Sequence, residues 1–213
     1  MQNNHYSQKY FDFQKNVGEF GAMMNKFKFA PFVKKNHVVI DFGCGGGYLL
    51  KSLSVKKKLG VEVNPVAIKE AKKNGIVVHS KTSSFPNEVA DVIISNNALE
   101  HVDNPLEELT NLRKKLKKNG RLVLIVPHER GVAWQENNIH QHLFTWSPMN
   151  LGNLVTRAGF QVERIDYIKH KWPPIYYQQI HALIGNKLFN FLCYIYGHLN
   201  LNLIQVRVVA RKK

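Results

Sequence analysis

Residues 38–47 read VVIDFGCGGG, and this stretch decides the fold. An apolar run that ends in glycines and passes into a helical pattern is typical of a buried strand, a tight turn and the helix that follows. The glycines let the backbone turn sharply and approach a ligand, because they carry no Cβ. Asp41 stands just before them, and the D-x-G-x-G-x-G spacing differs from the G-x-G-x-x-G of dinucleotide-binding folds. The stretch therefore predicts a ligand-binding turn of another kind.

Strand and helix patterns alternate from this stretch outward, which predicts an α/β fold with a parallel sheet covered on both faces. The predicted strands are residues 37–42, 58–63, 76–79, 90–95, 121–126, 160–169 and 203–212. The predicted helices are residues 47–53, 65–73, 105–117, 147–158 and 176–196.

We expect a single domain with four parts. They are an N-terminal helical cap (1–36), a core (37–171), a helical insertion or lid (172–200) and a final strand (201–213). Gly18 and Gly21 are expected to break the helical pattern of residues 6–30, because glycine is a weak helix former.

The insertion carries apolar residues at helical spacing. We expect them to share one face and to pack on the core; a lid over a bulky acceptor and a surface helix that meets lipid are the alternatives. These residues are Ile180, Ile184, Leu188, Phe191, Leu192 and Ile195.

Composition limits the function classes. The 213 residues are 44% hydrophobic, which excludes disorder as the default, and the net charge of +15 favours anionic partners. Two distant cysteines, Cys44 and Cys193, indicate a reducing compartment and no disulfide framework. The N-terminal residues show no secretory signal and no stretch is apolar enough to span a membrane, so we expect a cytoplasmic protein, with peripheral membrane contact left open.

Four segments together resemble class I S-adenosylmethionine-dependent methyltransferases. They are VVIDFGCGGG, the second-strand element GVEVNP, the fourth-strand element ADVIISNNALEHV and the fifth-strand element LKKNGRLVLIVP. The resemblance implies a Rossmann-like, doubly wound, mostly parallel seven-stranded sheet whose last strand is antiparallel. It also implies S-adenosylmethionine as the cofactor, bound by six residues: Asp41, Gly43, Gly45, Glu62, Asn96 and Asn97.

Glu62 ends the second strand about twenty residues after the glycines, where a cofactor ribose would present its hydroxyls. One departure from the family concerns the adenine, since Ser80-Lys81-Thr82-Ser83 offers no acid after the third strand. Tyr10 and Gln14 could reach the carboxylate end of the cofactor.

The loop SNNALEHV, residues 95–102, lacks the Asn/Asp-Pro-Pro-Tyr/Phe of enzymes that methylate base amines and resembles the branch that acts on small molecules. We predict that His101 is a general base for a hydroxyl acceptor, because a neutral imidazole suits that task. His140 and His142 could bind the acceptor or serve as an alternative base, and of the two His140 is the second catalytic candidate. A metal site of these two histidines with Glu136 is unspecific, so no metal is predicted.

The leading hypothesis is methyl transfer, and O-methylation in particular, to a small-molecule or glycan-type acceptor. That acceptor could be anionic or carried on a phosphate. The net charge keeps an RNA methyltransferase open, although nucleic acid is not favoured because no RNA-binding module is visible. A methyltransferase fold that only binds, without catalysis, is the third alternative.

Overall fold

A computed structural model describes residues 8–130, 132–136, 138, 140–200 and 203–213, and it describes the side chains of all of these except 8–14, 16 and 203. The strands are β1 (Val38–Phe42), β2 (Lys57–Val61), β3 (Val77–His79), β4 (Ala90–Asn96), β5 (Leu116–Glu129), β6 (Phe160–Ile168) and β7 (Leu203–Lys212). The helices are α1 (Gln8–Phe29), α2 (Tyr48–Ser52), α3 (Pro65–Lys73), α4 (Pro105–Lys115), α5 (Pro148–Arg157) and α6 (Tyr177–Leu199).

The strands form one sheet in the order β3-β2-β1-β4-β5-β7-β6. Strands β1 to β5 pair in parallel, whereas β7 runs antiparallel to both of its neighbours. The predicted Rossmann-like sheet with an antiparallel last strand is therefore confirmed. The chain leaves β1 towards β2 on one side and later returns to β4 on the other, so a crevice opens where their carboxyl ends meet.

Two apolar layers bury the sheet. On one face, Leu109 of α4 and Leu151 of α5 pack against β4 and β5. On the other face, Phe29 of α1, Leu50 of α2 and Ala71 of α3 cover the central strands. Because both faces are covered, the central strands read as continuous runs of Val, Ile and Leu.

Side-chain caps start three of the helices where the sequence predicts them. Asn64, Asn104 and Ser147 each accept a hydrogen bond from a backbone N–H of the first turn, and a proline follows each of them. Helix α4 ends two residues earlier than predicted, and β5 is longer than predicted at both ends.

The prediction that Gly18 and Gly21 break the N-terminal helix is wrong, because α1 is continuous across both. Gly18 is needed because α1 packs closely against the ring of Tyr48 at this position. A Cβ there would lie 2.6 Å from two ring atoms of Tyr48, so the missing side chain lets α1 approach α2 closely.

The predicted single packed face of α6 is also wrong. Gly185, with φ 73° and ψ 170°, kinks the helix, so the halves before and after it present different faces to the core. Beyond the kink, Phe189 and Cys193 are buried, whereas Leu188, Phe191 and Ile195 are exposed. Among the described residues, no helix has the length and apolar character needed to cross a bilayer.

Candidate functional site

A cavity of about 580 Å³ lies over the carboxyl ends of β1 and β4. Helix α1 forms one wall, and the segment between β6 and α6 contributes Trp172 and Pro174. Seven of the eight predicted site residues line it: Asp41, Gly43, Gly45, Asn96, Asn97, His101 and His140. Glu62 is not among the lining residues.

The glycine turn forms the cavity floor. Gly43 and Gly45 have φ values of 74° and 52°, a region that residues with a Cβ rarely adopt. The amides of Gly43 and Cys44 both donate to the carbonyl of Val61, which fixes the turn against β2. A Cβ on Gly43 would collide with Ala98, whereas a Cβ on Gly45 would enter open space. The turn thus leaves room for a ligand at Gly45.

Asp41 places a carboxyl group on this floor. Its side chain is 2% exposed, and the pKa of this carboxyl is raised well above its ordinary value by burial, with a further contribution from the nearby Glu62. A ligand that donates hydrogen bonds or carries positive charge would relieve both effects.

The carboxylate of Glu62 holds the glycine turn in place through hydrogen bonds from backbone amides. One carboxylate oxygen accepts from the Gly45 amide at 2.8 Å, and the other accepts from the amides of Val63 at 2.8 Å and Asn64 at 2.9 Å. Burial raises the pKa of Glu62, and these three hydrogen bonds oppose that rise. Two carboxylate oxygens offer about four acceptor positions, so some acceptor capacity is left for a ligand hydroxyl.

Polar groups at the end of β4 face the same cavity. The buried Oδ1 of Asn96 has no hydrogen-bond partner within the described residues. Asn97 Oδ1 accepts from Gln205 Nε2 at 2.7 Å, and Lys28 Nζ donates to Gln205 Oε1. Burial, together with the charge of Arg207, lowers the pKa of Lys28 to about 7. This chain of contacts brings a buried amino group to the cavity wall.

Glu100, His101 and His142 form a cluster, and its two histidines line the cavity. Candidate ligand atoms of these three side chains lie within 4.8 Å of one another. The rings of His101 and His142 are 4.9 Å apart between centroids, and His142 Nε2 is 4.0 Å from Glu100 Oε1. His142 Nδ1 contacts Glu129 Oε1 at 2.8 Å, so the second nitrogen of that ring faces the cluster.

Glu100 is fully buried, and neither of its carboxyl oxygens has a hydrogen-bond partner in the described part of the chain. Burial raises the pKa of this carboxyl to about 8, and the charge of Glu129 adds to the rise. A buried carboxyl group without a hydrogen-bond partner is costly, so this position favours a cation or a hydrogen-bond donor.

The sequence suggested His140, His142 and Glu136 as possible metal ligands, but the structure brings a different set of three residues together. Glu136 is exposed and does not belong to the cluster, and His140 adjoins it through a ring distance of 5.3 Å to His142. Two histidines and a carboxylate, with Glu129 orienting one of the rings, could hold a divalent cation.

The loop after β3 contributes nothing to the described cavity wall. Thr82 is buried, and its hydroxyl donates to Glu108, so it is already engaged within the protein. The side chains of Tyr10 and Gln14 lie outside the described residues.

Lys28 and the pairing of Glu100 with His142 were not predicted as parts of the site. Lys28 stands among several nearby lysines, and nothing in the sequence marks it as the buried one. Glu100 and His142 come together because the Leu143 amide donates to the Glu100 carbonyl at 2.9 Å, a contact between distant segments. The sequence feature that could have identified Glu100 as a site residue is its position next to His101 in the loop after β4.

A family model described as a methyltransferase domain matches residues 18–165, which is more than half of the chain. The chain is 24% identical to a ubiquinone biosynthesis O-methyltransferase of Rickettsia canadensis over 165 residues, which cover 63% of this chain and 69% of the relative. It is 36% identical to the mitochondrial ubiquinone biosynthesis O-methyltransferase of Schizosaccharomyces pombe over 103 residues, which cover 40% of this chain and 36% of that relative.

Among solved structures, an S-adenosylmethionine-dependent methyltransferase of Thermotoga maritima superposes with a TM-score of 0.68. The match covers 99% of this chain and 98% of the other at 17% sequence identity. The two proteins therefore share the whole fold.

Proposed function

The chain belongs to the methyltransferase domain family, and from this membership we propose that it transfers the methyl group of S-adenosylmethionine to a hydroxyl group of a small-molecule acceptor. One observation carries the proposal. The glycine turn with Asp41 and the two histidines of the cluster, His101 and His142, border the same cavity, so cofactor and acceptor can meet there. The relatives named as O-methyltransferases favour a hydroxyl acceptor.

The residues around the glycine turn fit this cofactor. Asp41 and Asn96 Oδ1, which has no hydrogen-bond partner in the described part of the chain, supply acceptors for the ammonium group and for the positive charge of the sulfonium. Glu62 orders the turn and is our candidate for the ribose hydroxyls. S-adenosylmethionine, when bound, supplies a methyl group activated for transfer to a nucleophile.

Two tasks remain for the chain: orienting the acceptor hydroxyl and removing its proton. Alignment of the reacting groups accounts for much of the acceleration in such reactions. His101 is our candidate for the proton, with His140 as the second candidate at the cavity margin. His101 can take the proton directly as a neutral imidazole, or bind a cation that makes the hydroxyl more acidic.

An acceptor with a carboxylate or phosphate group fits the cavity best. Lys28 is buried at the wall, and Lys171 lines the same cavity, so a negative group on the ligand would gain a cationic partner. The anionic group would narrow the class of acceptor, and the atom that receives the methyl group would still be a hydroxyl oxygen.

The test is transfer of label from S-adenosylmethionine to catechol, protocatechuate and bulk RNA in parallel. We expect methylated catechols, with the carboxylate-bearing protocatechuate preferred over catechol. Labelling of RNA alone would support the RNA alternative, and cofactor binding without transfer to any of the three acceptors would support a binding subunit.

Gly45→Ala should remove cofactor binding while the fold survives. The added methyl group meets no protein atom within 4 Å, so it projects into the space that we assign to the cofactor. We expect an affinity loss of about 30-fold or more, measured by calorimetry, and a stability cost of about 1–2 kcal/mol from the positive φ. Gly75→Ala is the matched control, since Gly75 has φ 78° and equally open space but lies outside the cavity. Equal affinity losses in both variants would contradict the assignment.

Glu100→Gln should abolish divalent cation binding. The buried carboxylate is the anionic member of the cluster, and an amide is a much weaker ligand for a cation. Titration of Mn²⁺ and Zn²⁺ into chelator-treated protein should show one site in the wild type, and its affinity should fall about 100-fold or more in the variant. Glu136→Gln is the control and should bind like the wild type. Loss of binding in Glu136→Gln, with retention in Glu100→Gln, would exclude this cluster.

A further inference from the structure

The outer face of α6 beyond the kink is an apolar stripe that no described residue covers. Leu188, Phe191, Ile195 and Leu199 are 54%, 60%, 41% and 77% exposed. At about 3.6 residues per turn these four positions fall along one line of the helix. The opposite side is already used, since Phe189 is fully buried there against α1. The helix therefore has one packed face and one free apolar face.

The chain segment that carries this stripe has charged side chains of one sign. No Asp or Glu occurs between Tyr167 and Lys213, the end of the chain. Lys187 is exposed and falls at one margin of the stripe, as does His198. An exposed apolar stripe with a lysine at its margin, on a segment that contains no acid, suits a helix that lies in the interface of an anionic bilayer.

A second copy of the chain fits the stripe less well than lipid does. Each copy carries a net charge of +15, and the segment that bears the stripe contains no acid that could offset the repulsion between copies. A lipid surface with anionic headgroups supplies both the missing negative charge and the apolar environment.

The stripe lies on the helix that follows the cavity-lining segment with Trp172 and Pro174. On its inner side, α6 packs with Phe20 of α1 and with Trp172, whose ring stands 5.9 Å from Phe20 between centroids. Trp172 also lines the cavity. A membrane seated on α6 would thus lie next to the cavity wall.

We propose that the exposed stripe of α6 docks onto anionic lipid bilayers and brings the cavity to an acceptor that resides in the membrane. The second half of this statement rests on the proposed methyl transfer. The docking itself does not, because it depends only on the stripe and its charges.

The test is co-sedimentation of the full chain with vesicles of phosphatidylcholine alone or mixed with phosphatidylglycerol. We expect binding to the mixed vesicles to be about tenfold or more tighter than to phosphatidylcholine, and to weaken in high salt. Leu188→Gln/Phe191→Gln should reduce binding to the mixed vesicles about tenfold or more. Val77→Gln/Met149→Gln, which changes two equally exposed apolar residues elsewhere, should bind like the wild type.

Several outcomes would overturn the docking proposal. The wild type would not bind vesicles, or both double variants would lose binding equally. Alternatively, the α6 variant would bind fully, which would mean that charge alone causes the binding. A concentration-dependent dimer that disappears in the α6 variant would identify a second copy as the occupant instead. Because all four replaced residues are exposed, an unchanged melting curve should accompany each result.

Vesicle binding and methyl transfer can fail separately. Vesicle binding is measured without cofactor or acceptor, whereas labelling of protocatechuate is measured without vesicles. If only vesicle binding fails, the docking proposal is wrong. If only the labelling of protocatechuate fails, the proposed function is wrong.

Discussion

Replacing Glu62 by alanine should weaken S-adenosylmethionine binding about 100-fold, the equivalent of two charge-assisted hydrogen bonds at about 1.5 kcal/mol each. The carboxylate now holds the amides of Gly45, Val63 and Asn64, and we assign its remaining capacity to the ribose. The variant thus loses both the order of the glycine turn and a direct contact. Calorimetric titration of the cofactor measures the effect.

Glu163→Ala is the matched control for this prediction. Glu163 also accepts hydrogen bonds, from Arg121 and Arg211, but unlike Glu62 it does not hold the glycine turn. We expect it to lose some stability and to keep the wild-type affinity. If Glu62→Ala binds the cofactor as tightly as Glu163→Ala does, Glu62 has no part in the cofactor site.

His101→Ala should lower turnover about 100-fold or more and leave the affinity for S-adenosylmethionine within about threefold of the wild type. The side chain borders the cavity beside His142 and is not among the residues assigned to the cofactor. Steady-state kinetics with saturating acceptor, paired with calorimetry, separates the two quantities. His198→Ala, at an exposed histidine of α6, should retain full turnover.

Added cation distinguishes the two proposed roles of His101. If the histidine is a cation ligand, a large excess of Mn²⁺ should restore part of the turnover of His101→Ala, because Glu100 and His142 remain. If it is a base, Mn²⁺ should change nothing in that variant. Wild-type turnover in His101→Ala would exclude both roles.

The sequence was sufficient for the sheet because its signals are local. Strands buried on both faces appear as uninterrupted apolar runs, as in residues 38–42 and 90–95. The caps Asn64, Asn104 and Ser147 work through residues two or three positions away. The floor of the cavity was predictable for the same reason, since Asp41 and the glycines form one continuous stretch.

Features that depend on distant contacts were not predictable. Gly18 is a packing glycine only because Tyr48 meets it, and a single sequence cannot distinguish that from a helix break. The kink at Gly185 turns part of the apolar pattern of α6 outward, which periodicity alone could not reveal. Glu100 joins His142 only after a loop folds across the end of β5.

Calorimetric titration of S-adenosylmethionine into the wild-type chain tests the central claim most directly, since the cofactor site depends on Asp41, the glycine turn and Glu62. We predict saturable binding at one site per chain, which is lost in Gly45→Ala and kept in Gly75→Ala. An absence of binding by the wild type, or binding that persists unchanged in both Gly45→Ala and Glu62→Ala, would contradict the account.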